Sequence, residues 1–182
     1  MDINYILEEG VGFSLDFKLQ MHELEQIRIE VKKHWLNTIR HSYPKLLHKF
    51  EAISMTDYHF FSHDLQHNSL WSKTNRILPD NVVTYIRKTQ LLQSLQDYFG
   101  NFIISNEEEL YAEEIYWRIV RPHQPDDMGP LHADKWFWDL GHGKMPLGYK
   151  RVKIWIALYC EPGMNGLRVV PHSQKKNWPY EG

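Results

Sequence analysis

Between residues 19 and 42 the apolar positions recur at helical spacing. Leu24, Ile27, Val31 and Trp35 follow one another at intervals of 3, 4 and 4, while Glu23, Lys32 and Lys33 face elsewhere. This predicts a helix from about Leu19 to Ser42, ended by Pro44. Two further helices are predicted, Pro79–Lys88 with Asp80 as N-cap, and Gln90–Phe99 with Thr89 as cap and Gly100 as stop. Residues 1–18, interrupted by Gly10 and Gly12, read as a short strand or an irregular lead-in.

After Gly100 the period changes from helical to two. Asn101–Ser105 is a short strand candidate, and Glu107–Glu109 an acidic turn or first helical turn. Glu114–Pro122 alternates, with Ile115, Trp117 and Ile119 on one face and Tyr116, Arg118 and Val120 on the other. Arg151–Cys160 does the same, with Val152, Ile154, Ile156, Leu158 and Cys160 inward. A turn is expected at Pro162–Gly166, where Asn165-Gly166 favours positive φ, and a strand returns at Leu167–Val170. Helices followed by a run of strands predict an α+β protein whose second half is a β-sandwich or barrel. A single domain is expected over 1–182, helical to about residue 100 and β beyond it.

Composition narrows the classes. The chain carries seven Trp, ten Tyr and eight Phe, a globular composition rich in rings. A net charge of −2 lacks the concentrated basic field of a nucleic-acid binder. Cys160 stands alone, so neither an intramolecular disulfide nor a Cys-based zinc site is expected, and a reducing, cytoplasmic setting fits. No apolar run approaches 18 residues and no charged-then-apolar leader is seen, so neither a membrane span nor a secretory signal is expected.

The candidate chemistry lies in Leu131-His132-Ala133-Asp134-Lys135-Trp136-Phe137-Trp138. On a strand, residues i and i+2 project from one face with Cα atoms roughly 6.6 Å apart, close enough for an imidazole and a carboxylate to share one ion. His132 and Asp134 would then supply two members of the two-His-one-carboxylate triad of non-haem Fe(II) oxygenases. His59, His63 and His67 lie at four-residue spacing and would share a face on one helix. With eleven histidines in the chain and no acidic second shell evident, they read as solvated or core-edge side chains. Lys135 and Lys153 read as solvated edge charges.

The order of helices, then His132-x-Asp134, then VKIWIALYCEPGMNGLRVVPHSQ resembles the phytanoyl-CoA dioxygenase family of Fe(II)/2-oxoglutarate oxygenases. The matching residues are Val152, Trp155, Ile156, Ala157 and Leu158, then Asn165, Gly166, Leu167, Val170, Pro171 and Ser173, and the likeness spans roughly 60–178. The resemblance implies helices packed on a double-stranded β-helix, a jelly-roll or cupin-like barrel. It also implies Fe(II) and 2-oxoglutarate as cofactors, with His132 and Asp134 as metal ligands and hydroxylation of a small organic substrate as the activity. Asp134 favours hydroxylation, since related halogenases carry a small residue there. Trp138 would wall the co-substrate pocket or fill the barrel core. Tyr116 and Arg118 could donate to the co-substrate's carboxylates, the alternative for Arg118 being a rim salt bridge.

The family's third ligand and its carboxylate-gripping Arg lie beyond the matched strand, and no matching segment occurs here. His172 is the candidate substitute, although its setting VVPHSQ matches a turn whose histidine is not an iron ligand in the family. About five strands are counted where the barrel needs eight, so the barrel is expected to be incomplete at the C-terminus and the chain to be a portion of a longer protein. The alternative is a non-catalytic jelly-roll module that holds a ligand or partner.

Overall fold

The computed structural model describes residues 3–106, 112–161 and 165–180. Its elements are α1 (Ile3–Glu8), α2 (Met21–Ser42), α3 (Leu47–Glu51), α4 (Tyr58–Phe61), α5 (His67–Leu70), α6 (Asp80–Arg87), α7 (Gln90–Phe99) and α8 (Trp136–Asp139), joined by short 3₁₀ turns. Helix α2 is the spine. Ile27, Val31, Trp35 and Ile39 form its buried stripe, against Val82, Val83 and Ile86 of α6 and Leu91, Leu92 and Leu95 of α7. Trp35 meets Phe50 and Tyr58 edge-on, with centroids 5.8 and 6.1 Å apart, the arrangement that ring quadrupoles favour.

The three predicted helices form close to their expected bounds, although Asp80, expected as the N-cap of α6, is its first helical residue and Pro79 takes the cap position with no side-chain cap hydrogen bond. Thr89 Oγ1 accepts from the Leu92 amide and Gly100 ends α7 at φ +72. Glu23 departs from expectation, because it is buried rather than facing out. Its carboxylate accepts the amide of Gln20 at 2.9 Å and that of Gln90 at 2.6 Å, so one side chain satisfies orphan donors at the starts of α2 and α7.

The second half corrects the expected architecture. Among the described residues there is no sheet and no barrel, so the α+β reading and its double-stranded β-helix, jelly-roll or cupin-like half, complete or incomplete, do not hold. The only β pairing described is an isolated antiparallel bridge between Ile77 and Tyr116, closed by Leu78 N–H to Ile115 O at 2.8 Å and Trp117 N–H to Arg76 O at 3.1 Å. The alternation holds in part: Trp117 is buried, and Ile115, Ile119, Ile156 and Leu158 pack on the helical core, while Val152, Ile154 and Cys160, expected inward, are exposed. Alternation states which face is apolar, but a strand also needs a neighbour to take its N–H and C=O groups. The 151–160 segment has no such ladder, and Val152, Ile154 and Trp155 stay exposed. It is held instead by the Arg28 guanidinium of α2, which donates to Leu158 O from Nε at 2.7 Å and lies over the Tyr159 ring. The acidic turn at 107–109 and residues 162–164 of the expected turn fall outside the described residues. No helix among the described residues is long and apolar enough to cross a membrane.

Candidate functional site

The approach to the site starts at a closed loop. Asp127, buried, accepts Arg121's backbone N–H and Nε at 2.8 Å each on one oxygen, and the terminal guanidinium nitrogen at 2.7 Å on the other. These bonds tie residues 121–127 into a ring that leads to Pro130 and His132. The His132 Nδ1 lies 2.7 Å from the Pro130 carbonyl, which can only accept, so Nδ1 carries a hydrogen and the ring turns its Nε2 towards Asp134. That Nε2 lies 3.3 Å from Asp134 Oδ1.

The local conformation is not the expected strand. Asp134 and Lys135 form a turn, in which Ala133 O and Asp134 O accept the amides of Trp136 and Phe137 at 3.0 and 3.2 Å, and α8 begins there. His132 and Asp134 therefore converge through a turn rather than through a shared strand face. Trp138, expected on that same face, sits on α8, and its ring carries the Arg151 guanidinium at 4.2 Å.

Tyr116, His132, Asp134, Trp138, Lys153 and Tyr180 all line one cavity of about 330 Å³. Tyr180 joins it by packing on Trp136, whose Nε1 donates to Trp178 O at 2.6 Å. Lys153, read from sequence as a solvated charge, is exposed and lies with its ammonium 3.7 Å from Asp134 Oδ2. Two predicted residues lie elsewhere. Arg118 donates to Asp127 O at 2.8 Å, and His172, at φ +62, is bound through Nδ1 to Gly10 O and through its amide to Val11 O. Among the described residues no three His, Cys, Asp or Glu side chains gather closely enough to hold a metal ion.

A buried polar chain escaped the sequence reading. Trp71 Nε1–H donates to Tyr58 Oη at 2.9 Å, Tyr58 Oη lies 2.9 Å from His67 Nδ1, and His67 Nε2 lies 3.5 Å from Asp127 Oδ1. The carboxylate opposite Nε2 selects the tautomer with its proton there, so the Tyr58 hydroxyl donates to Nδ1. Burial pushes the Tyr58 hydroxyl up to about 12, against the hydrogen bond from Trp71. Burial also lowers His67 below the ordinary imidazole value, against the pull of Asp127. For Asp127 itself burial acts upward, but the Arg121 hydrogen bonds hold the carboxyl below its ordinary range. The four-residue spacing of His59, His63 and His67 hides this arrangement. The segment is broken into short turns, so His63 is exposed beside Asp64 and His67 alone turns inward. No feature of the sequence marks His67 apart from its two neighbours.

No family model, curated protein or solved structure matches the chain.

Proposed function

We propose that the protein is an Fe(II)- and 2-oxoglutarate-dependent dioxygenase that hydroxylates a small organic substrate. The observation that carries this reading is the convergence of His132 Nε2 and Asp134 on one aromatic-walled cavity. One imidazole nitrogen and one carboxylate are two of the three protein ligands of a non-haem Fe(II) site. The Pro130 carbonyl behind His132 supplies the ring-orienting partner that metal-bound histidines use. Trp138, whose indole Nε1 is buried without a partner among the described residues, supplies one wall of the cavity.

His132 and Asp134 would hold the cation, leaving its other positions to the chelating co-substrate and O2. The bound pair would supply O2 activation coupled to decarboxylation of 2-oxoglutarate to succinate. The chain's own residues orient: Pro130 fixes the imidazole, and Tyr116 and Trp138 wall the space beside it. A net charge of −2 suits a small molecule better than nucleic acid or an anionic membrane as partner. The single thiol, Cys160, suits a reducing, cytoplasmic setting in which iron stays ferrous.

The test is succinate release from 2-oxoglutarate by purified protein loaded with Fe(II), with Asp134→Ala expected to abolish it. Undiminished release in that variant would overturn the assignment. A second reading, a ligand-binding module without redox chemistry, is favoured by the lack of a third metal-binding side chain among the described residues. It expects 2-oxoglutarate to bind with no succinate formed.

A further inference from the structure

His67 joins the helical body to the 121–127 loop. Its Nδ1 lies 2.9 Å from Tyr58 Oη on α4, and its Nε2 lies 3.5 Å from Asp127 Oδ1 on the loop. Each hydrogen in this chain has one place to be. Tyr58 Oη accepts from Trp71 Nε1–H at 2.9 Å and gives its own hydrogen to Nδ1, while Nε2–H faces the carboxylate. The bonds between Asp127 and Arg121 close the loop on itself, whereas the contact with His67 reaches the body.

A second proton on His67 breaks this order. Both nitrogens of an imidazolium donate, so Nδ1–H could only point at Tyr58 Oη. That oxygen would then receive two hydrogens, and its own hydroxyl hydrogen would lose its acceptor. Tyr58 is 1% exposed, so no water replaces it, and a buried donor left unmade is costly. The surrounding charges do not remove the cost. Asp127 attracts an imidazolium, but Arg121 from the loop and Arg76 from the turn before α6 repel it, and burial opposes it most. From α2, Trp35 packs edge-on against Tyr58 and adds no charge there.

The protonated side chain has an exit. His67 borders an open polar cavity of about 330 Å³ shared with Gln66, Asn68 and Ser69, so the imidazolium can turn into water by leaving Tyr58 and Asp127. We propose that His67 is an acid-released latch: neutral, it ties the 121–127 loop to α4, and protonated, it turns into the adjoining cavity and frees the loop. The segment set loose is the one that leads to the Pro130 carbonyl behind His132. The closed latch refuses the proton, and the open one takes it at the ordinary imidazole value of about 6.5. Opening is therefore indifferent to pH above about 6.5 and grows by up to about tenfold per unit below it, until pH reaches the lowered value of the closed form. None of this depends on what the His132 cavity binds.

The experiment is amide hydrogen exchange on the whole chain from pH 7.5 to 5.5, corrected for the intrinsic rate. It is read at Arg121, Asp127 and Met128, whose amides are bonded within or beside the loop, and at α7 for comparison. The opening constant of the loop amides is expected to rise about five- to tenfold over that range, nearly all of it below about pH 6.5. Sub-denaturing urea is expected to change it little, because a local opening exposes little surface. His67→Gln removes the proton site and is expected to make the opening constant independent of pH, whatever its level. A flat profile in the parent, a rise retained in His67→Gln, or loop amides that respond to urea as steeply as those of α7 would each overturn the latch. If His67→Gln does not fold, the His67 ring signals of the parent decide by NMR: titration below about 6.5 is expected, and titration at or above it overturns the proposal.

Discussion

Glu23 shows how much one side chain can organise. Its buried carboxylate takes the amides of Gln20 and Gln90, residues far apart in sequence, through two partly buried bonds. Glu23→Ala would leave those two amides without their carboxylate. It is expected to cost about 1–3 kcal/mol, read from the urea midpoint, with Glu23→Gln costing less because it keeps an acceptor. His67 and His34 supply a second residue-scale expectation. Burial holds both imidazoles below their ordinary value, so the unfolded chain binds protons that the folded one refuses. The stability contributed by these neutral rings is present above about pH 6.5 and is lost as pH falls through the folded-state pKa values. The urea midpoint is therefore expected to drop between about pH 7.5 and pH 5, and to drop less in His67→Gln. An unchanged pH profile in that variant would remove His67 from the account.

At the scale of elements, the three longest helices, α2, α6 and α7, were legible because each carries its own instructions, whereas α1, expected as a strand or irregular lead-in, and the short α3, α4, α5 and α8 were not. Helix α7 has its cap at Thr89, its apolar face at Leu91, Leu92 and Leu95, and its stop at Gly100, all within a dozen residues. Gly100 stands at φ 72 and ψ −151, a region that residues with a Cβ avoid, although a Cβ built there meets nothing within 4 Å. Gly100→Ala is thus expected to cost about 1–3 kcal/mol from backbone strain alone, measurable by thermal denaturation. A neutral result would mean the turn relaxes freely. The strands were not legible in the same way, since pairing is a property of two segments. The alternation at 151–160 correctly placed Ile156 and Leu158 against the core, but nothing in those residues states whether a neighbour lies within reach. The candidate site shows the same division. That His132 and Asp134 would lie together could be read from the i, i+2 spacing, and Tyr116 and Trp138 do share their cavity. Its geometry, a turn entering α8, could not, because the aromatic run Trp136–Trp138 suits strand and helix alike.

For the molecule as a whole, Asp127 sets a limit on movement. It joins the segment leading to His132 to the helical body, through Arg121 on one side and through His67 and Tyr58 on the other. A local fluctuation that swung this loop away would strand a buried carboxylate and a guanidinium together, and such openings are drawn from the high-energy end of the native ensemble. The segment that leads to His132 and Asp134 is therefore moored at Asp127 to the same body of helices that buries Trp35.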